Sequence, residues 1–348
     1  KSKSWTKYYN EKLFKNKNIK KFNNLFRKTL IKSIEKRNLC DVKTQLALSS
    51  GYDSSLILNL LKKNKEIKNF RRSISVGFNN QNNETIFAKK IANSLNSNIK
   101  LINLRKPKLG DLEKIIKYYD APLEHPSSIG LDYICKETKK IDKVLITGEG
   151  ADDLLFGYNH YNRGNQNSFA FRPFIKKKSL KLIFSNKKNL NFLKNFYKKI
   201  DIHTLRKKAL SSIFFSRELE IKTHMQTLLK RNDRISMKNS VEIRCPFLDI
   251  NLINLIPNKI KIRKQKYFSK LLDKKISKIL DHRKKIGFYV PLSNVYKSNR
   301  VKVNNYIKNS IEFLELNGLF IQKKLIQNSE IKWVLLNIGI FLEQHEKR

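Results

Sequence analysis

Four serines, a glycine and a carboxylate stand together in LALSSGYDSSLIL, residues 46–58. An apolar run enters this turn and a second leaves it, so the small polar residues lie between a buried strand and a helix. Backbone N–H groups at such a helix start point outward and favour an anion. Gly51 permits close approach of a ligand to the backbone. Ser49, Ser50, Ser54 and Ser55 carry hydroxyls able to donate to phosphate oxygens. Asp53 would repel a bare phosphate, and a carboxylate in an anion cradle makes sense when a divalent cation lies between the two. A second loop, GEGADD at 148–153, gathers Glu149, Asp152 and Asp153. Burial penalises such like charges unless a cation neutralises them. The plainer alternatives are a capped helix for the first loop and a solvated acidic loop for the second. The first turn is not a Walker-type loop, because no Gly-Lys-Ser/Thr follows at the required spacing.

Alternating elements must position these loops. Phe22, Leu25, Phe26, Leu30, Ile31 and Ile34 recur at helical spacing within an N-terminal helical segment, residues 1–40. Residues 44–48, 73–78, 99–104 and 143–147 read as strands, and 54–63, 83–95, 111–119 and 127–140 as helices. Strands alternating with helices predict an α/β fold, a parallel sheet with helices covering it. Ligands of such sheets bind beyond the carboxyl ends of the strands, where both loops fall. From about residue 160 the strands fade and Lys/Asn-rich helical segments dominate, with a basic insertion at 160–225. A single domain is therefore expected over 41–348, its C-terminal part helical.

Composition removes several classes. The 348 residues carry a formal charge of +45, but lysine, asparagine and isoleucine are inflated along the whole chain rather than in one patch. Such uniform basicity points away from a specific nucleic-acid partner. No apolar run is long enough to cross a bilayer and no secretory leader pattern opens the chain. The expectation is a cytoplasmic protein without a membrane partner. Cys40, Cys135 and Cys245 lie far apart with no CxxC, which suits core thiols rather than disulfides or zinc. The six histidines show no metal-ligand spacing, and none is assigned to catalysis.

The first loop, Ser49-Ser50-Gly51-Tyr52-Asp53-Ser54, resembles the SGGxDS pyrophosphate-binding loop of the N-type ATP pyrophosphatases, the PP-loop proteins, with Ser50 in place of their first glycine. Three further segments resemble the signatures of the asparagine synthetase C-terminal domain in order and spacing. They are VLITGEGADDLLFGYNHY (144–161), RNDRISMKNSVEIRCPFLD (231–249) and HRKKIGFYVP (282–291). The resemblance covers residues 40–295.

That resemblance implies an ATP-dependent ligase. A carboxylate, aspartate in the commonest case, becomes acyl-AMP with release of pyrophosphate, and ammonia or an amine then displaces AMP. ATP and Mg2+ are the implied cofactors, with the metal held by Asp53 and Asp152. Glu149 is implied to face the acyl substrate and Asp153 to buttress its loop. Strand 73–78 is implied to carry the adenine pocket through Val76, with Gly148 and Ala47 at matching close-approach and packing positions. Lys285, in Arg283-Lys284-Lys285-Ile286-Gly287-Phe288, falls at the catalytic lysine, where an ammonium steadies the departing pyrophosphate. Glu242 is implied to face the acyl or amine substrate. Arg244 and Asp249 are expected as a structural ion pair, with Asp233 and Arg234 organising the same floor. Full-length members carry a glutaminase half led by a nucleophilic Cys. No part of this sequence matches it, so ammonia is expected from a separate or upstream glutaminase, or as an amine from elsewhere.

Related readings remain open on the same motifs. A β-lactam synthetase, a lasso-peptide cyclase or a sugar-carboxylate amidotransferase shares them with other acyl donors. A tRNA-modifying PP-loop enzyme shares the first motif but leaves EIRCPFLD unexplained. A non-catalytic binder would follow if Ser50 spoiled the loop.

Overall fold

A computed structural model describes residues 19–78, 84–104, 106–155, 188–189, 191, 221, 224–256, 264–281 and 290–346. The expected insertion at 160–225 and the segment bearing Lys285 lie almost wholly outside the described residues.

Helix α1 (Ile19–Asn38) buries Phe22, Phe26, Leu30 and Ile34 at four-residue spacing, while Leu25 is turned to solvent. Chain order then runs β1 (Thr44–Ala47), α2 (Tyr52–Lys63), β2 (Phe70–Phe78), α3 (Glu84–Ser94) and β3 (Ile99–Leu104). Next come α4 (Leu109–Tyr119), α5 (Ser127–Lys139), β4 (Val144–Ile146) and the short α6 (Ala151–Leu154). Beyond the insertion lie α7 (His224–Lys238), β5 (Glu242–Arg244), a 3-10 turn (Pro246–Leu248) and α8 (Ile250–Leu255). Helices α9 (Lys264–Leu271), α10 (Lys274–Asp281), α11 (Leu292–Ser298), α12 (Arg300–Leu316) and α13 (Ser329–Glu346) complete the described chain.

The five strands pair in the order β3-β2-β1-β4-β5, all parallel. From β1 the chain first builds outward through β2 and β3, then returns to place β4 on the other side of β1. The crossovers therefore diverge between β1 and β4, which opens a crevice at their carboxyl ends. In register, Leu46 of β1 pairs with Ile146 of β4, so the residues that follow these strands emerge side by side. This is why two loops so far apart in sequence meet.

Two apolar clusters hold the sheet. One joins α1, α2 and Leu46 to α8, α9 and α10, with Phe268 stacked on Phe247 at 5.6 Å between ring centroids. The other joins Val76 and α4 to α12 and α13 around the fully buried Trp333. Cys135 is buried, Cys40 and Cys245 are half-buried, and none forms a disulfide. Among the described residues no helix is long and apolar enough to cross a membrane.

Candidate active site

The first loop is shorter than its sequence suggests. Helix α2 begins at Tyr52, so Asp53 sits in its first turn and Gly51 is the extended residue before it. The serines largely bind the loop to itself. Ser54 Oγ donates to Ser49 O at 3.1 Å and accepts from Ser49 N at 3.1 Å, and Ser55 Oγ donates to Gly51 O at 2.7 Å. Ser50, Ser54 and Ser55 are buried, whereas Ser49 is exposed. Their hydroxyls thus fix the shape of the turn. Ser50 Oγ points to Glu84 Oε1 at 3.5 Å, so the residue in place of the glycine is turned towards α3.

Two glycines shape the second loop. A Cβ on Gly148 would lie 3.1 Å from both Asp53 Cβ and Ser54 N, so the glycine lets the two loops touch. Gly150 has φ +90°, a left-handed conformation that side chains disfavour, and a Cβ there would drive into the Leu248 side chain. These contacts seat Asp152 opposite Asp53.

A cavity of about 300 Å³ opens at this crevice. One part is apolar, lined by Ala47, Leu48, Val76, Leu131 and Ile134; the other is polar, lined by Ser49, Asp53, Ser54, Glu84, Gly148, Glu149, Asp152 and Arg231. A purine with its polyphosphate calls for this pairing of an apolar wall with convergent polar groups. Ser50 and Gly51 line an adjoining depression beyond Asp53, together with Tyr52, Lys264 and Asp281. Ser55 lies beneath the loop. Asp153 is buried and faces His224 Nδ1 at 3.5 Å, a buttressing position.

The two carboxylates assigned to a metal do share a cation, the ammonium of Lys264. Its Nζ lies 2.7 Å from Asp53 Oδ1 and 2.8 Å from Asp53 Oδ2, and it also contacts Asp152 Oδ1. Burial works against this charge, but Asp53 and Asp152 outweigh it and hold the lysine above its ordinary pKa. The arrangement fits Mg2+, which is commonly held by one or two carboxylates together with substrate phosphates. Among the described residues no group of three or more His, Cys, Asp or Glu could hold a metal ion, so a cation here would need further ligands from outside these side chains.

Arg231 organises the other polar wall. Its Nη2 donates to Glu149 Oε1 at 2.9 Å and its Nη1 to Ser127 Oγ at 2.9 Å. Ser127 Oγ is in turn 2.8 Å from His125 Nδ1. Asp233 and Arg234, expected to organise this floor, are both exposed, and Arg231 and Asn232 face the cavity instead. The four-residue spacing of the buried Arg231 and Ile235 was the signal available.

Glu242 is not brought to this cavity. Its register partner is Val144, at the amino end of β4, whereas the crevice lies at the carboxyl end. Its side chain is 59% exposed and forms a forked pair with Arg244 at 2.8 and 3.1 Å, which holds its carboxyl below the usual range. The expected Arg244–Asp249 pair is likewise replaced. Asp249 pairs with Arg37 at 2.5 Å and caps α8 through Asn251 N, while Arg244 Nη1 donates to Arg37 O and Leu39 O. Both residues are structural, as expected, but each ties its own segment to the end of α1. Lys285 lies outside the described residues.

The asparagine synthase family model matches residues 25–327. This chain belongs to the asparagine synthase family. Over 323 residues it is 28% identical to asparagine synthetase [glutamine-hydrolyzing] 1 of Bacillus subtilis, an alignment covering 78% of this chain and 50% of that protein. It is 25% identical over 222 residues to a putative asparagine synthetase 1 of Methanocaldococcus jannaschii, 61% of this chain and 32% of that one. With the asparagine synthetase of Rattus norvegicus it shares 30% identity over 162 residues, 44% of this chain and 28% of the relative. The chain thus spans about half the length of the B. subtilis relative or less of the other two.

Proposed function

We propose that this chain is the ATP-using part of an amide-forming ligase, one that activates a carboxylate, aspartate foremost, and passes its acyl group to ammonia or an amine. The observation that carries this reading is the convergence of Asp53 and Asp152 on one cation, beside a cavity with an apolar wall formed by Val76 and its neighbours. Family membership and the relatives' names support it.

In this reading adenine rests on the wall of Ala47, Leu48 and Val76, and the triphosphate runs past the Ser49–Ser54 turn. Asp53 and Asp152 would hold Mg2+, which would supply positive charge to the pyrophosphate. The substrate carboxylate oxygen attacks the α-phosphorus, forming one P–O bond while the bond to pyrophosphate breaks. The nitrogen nucleophile then attacks the acyl carbon and AMP leaves. Arg231 orients the acid through its guanidinium, and Glu149, held by Arg231, accepts the proton that the nitrogen sheds. Lys285 is proposed to meet the departing pyrophosphate. Water must be kept out during this sequence, because acyl-AMP hydrolyses. The nitrogen source, whether free ammonia or a glutaminase, belongs to the same proposal.

The test is product analysis with Mg·ATP, aspartate and ammonium. Equimolar asparagine, AMP and pyrophosphate are expected. Formation of ADP and phosphate instead would contradict the reading. Pyrophosphate released only with another acid would keep the chemistry and replace aspartate.

A further inference from the structure

We propose that Lys264 is a built-in cation that holds Asp53 and Asp152 together before the metal arrives, and that loading the site displaces its ammonium from the carboxylates. The inference rests on the reading of these two residues as the metal seat.

Lys264 is only 4% exposed, yet its Nζ touches both carboxylates. The two carboxylates are partly withdrawn from solvent, their side chains 20% and 18% exposed, and like charges so placed repel unless a cation lies between them. The lysine therefore holds the two acids facing one another before a metal arrives. Its side chain does not reach the site by chance: an ammonium this deeply buried persists only where opposite charges meet it. Nor is its backbone loosely placed, because α9 packs on α2 and anchors Phe268 against Phe26 and Phe247.

Charge decides what happens on loading. Two carboxylates and one ammonium leave a net negative seat, which a divalent ion would fill only by crowding the ammonium. A nucleotide brings both the metal and further negative charge, and so offers the ammonium new partners. Space for that move exists. Lys264 also lines the depression on the far side of Asp53, about 390 Å³, bounded by Gly51, Tyr52, Gln265 and Asp281. The four-carbon stem swings the ammonium within this space while α9 stays packed. Metal alone then binds weakly, and metal with polyphosphate binds well.

The experiment uses the full chain, with Mn2+ as a spectroscopic probe, and Lys264→Met, which keeps the stem and removes the charge. Without nucleotide, Lys264→Met should bind Mn2+ about tenfold more tightly than the wild type or better. In chelator it should melt about 5 °C or more below the wild type, with Mg2+ alone restoring it. Equal Mn2+ affinity and equal melting in chelator would overturn the proposal. If Lys264→Met does not fold, Asp152→Asn combined with Lys264→Met should fold, since one acid no longer needs a cation. Failure of that pair too would make the lysine a packing residue and overturn the proposal. Mn2+ that fails to bind the wild type even with ATP would sink the metal seat itself. Mn2+ that binds with ATP, independently of Lys264, would sink only the inference drawn here.

Discussion

Arg231 Nη2 donates to Glu149 Oε1 at 2.9 Å, which locks the guanidinium against the loop that follows β4. Its other arm reaches Ser127 on α5, so one side chain spans three elements around the polar wall. Arg231→Gln keeps the first three carbons of the stem but removes the charge and the fork. The expected outcome is a fall in kcat/KM for the acid of about 100-fold, near 2.7 kcal/mol, with ATP affinity within about threefold. Steady-state kinetics with the acid varied at saturating ATP measures this. A matching loss of ATP affinity would place Arg231 on the nucleotide instead.

Glu242 provides the opposite expectation. Its carboxylate is exposed, paired with Arg244, and sits at the amino end of the sheet. Glu242→Gln should leave pyrophosphate release within about twofold, because exposed ion pairs contribute little. A loss beyond tenfold in the same assay would show that Glu242 reaches the substrate.

Gly150 makes the turn that delivers Asp152. Gly150→Ala forces a side chain into a left-handed conformation and into Leu248. The expected cost is about 2–4 kcal/mol. Urea denaturation reads the loss, and an unchanged midpoint would mean that the turn has room to shift.

Asp132 is a fully buried carboxylate away from the cavity, bonded to Lys136 and Lys238 at 2.7 Å and Asn239 at 2.8 Å. Burial raises its pKa, but these partners outweigh burial and lower it overall. Asp132→Asn strands Lys238, whose side chain is 8% exposed, and should cost about 3 kcal/mol at neutral pH. A depressed carboxyl stabilises fully above its unfolded pKa and loses that contribution as pH falls through the folded value. The gap between wild type and variant should therefore hold from pH 8 to pH 5 and close only below about pH 4. Denaturant titrations across that range check it, and a gap closing near neutrality would contradict the assignment.

Much of the fold was legible because the physical signals were local. The run into Ser49 and the run into Gly148 are short and apolar and end in small residues, so β1, β4 and their loops follow directly from the sequence. Pairing across space was less legible. The stretch holding Glu242 reads correctly as extended, but alternation does not reveal register, so it does not tell which end of the sheet a residue occupies. Arg244 and Asp249 look paired because they are near in sequence, whereas their partners lie at the end of α1. Lys264 was hidden for a different reason. In a chain with 74 lysines and arginines a single lysine carries no signal, and only the convergence of Asp53 and Asp152 sets it apart. The Ser50 hydroxyl, expected to face phosphate, lies 3.5 Å from Glu84 Oε1, a neighbour that the sequence does not reveal.

The central claim of the proposed function is that ATP, its triphosphate beside a metal seat formed by Asp53 and Asp152, is cleaved at the α-phosphorus by attack of a carboxylate. Exchange of labelled pyrophosphate into ATP measures this most directly, run with and without aspartate on the wild type, Asp53→Asn and Asp152→Asn. The expected result is exchange that needs the acid and falls more than about 100-fold in each variant. Exchange that persists in both variants, or label that enters ATP equally well without any acid, would contradict it.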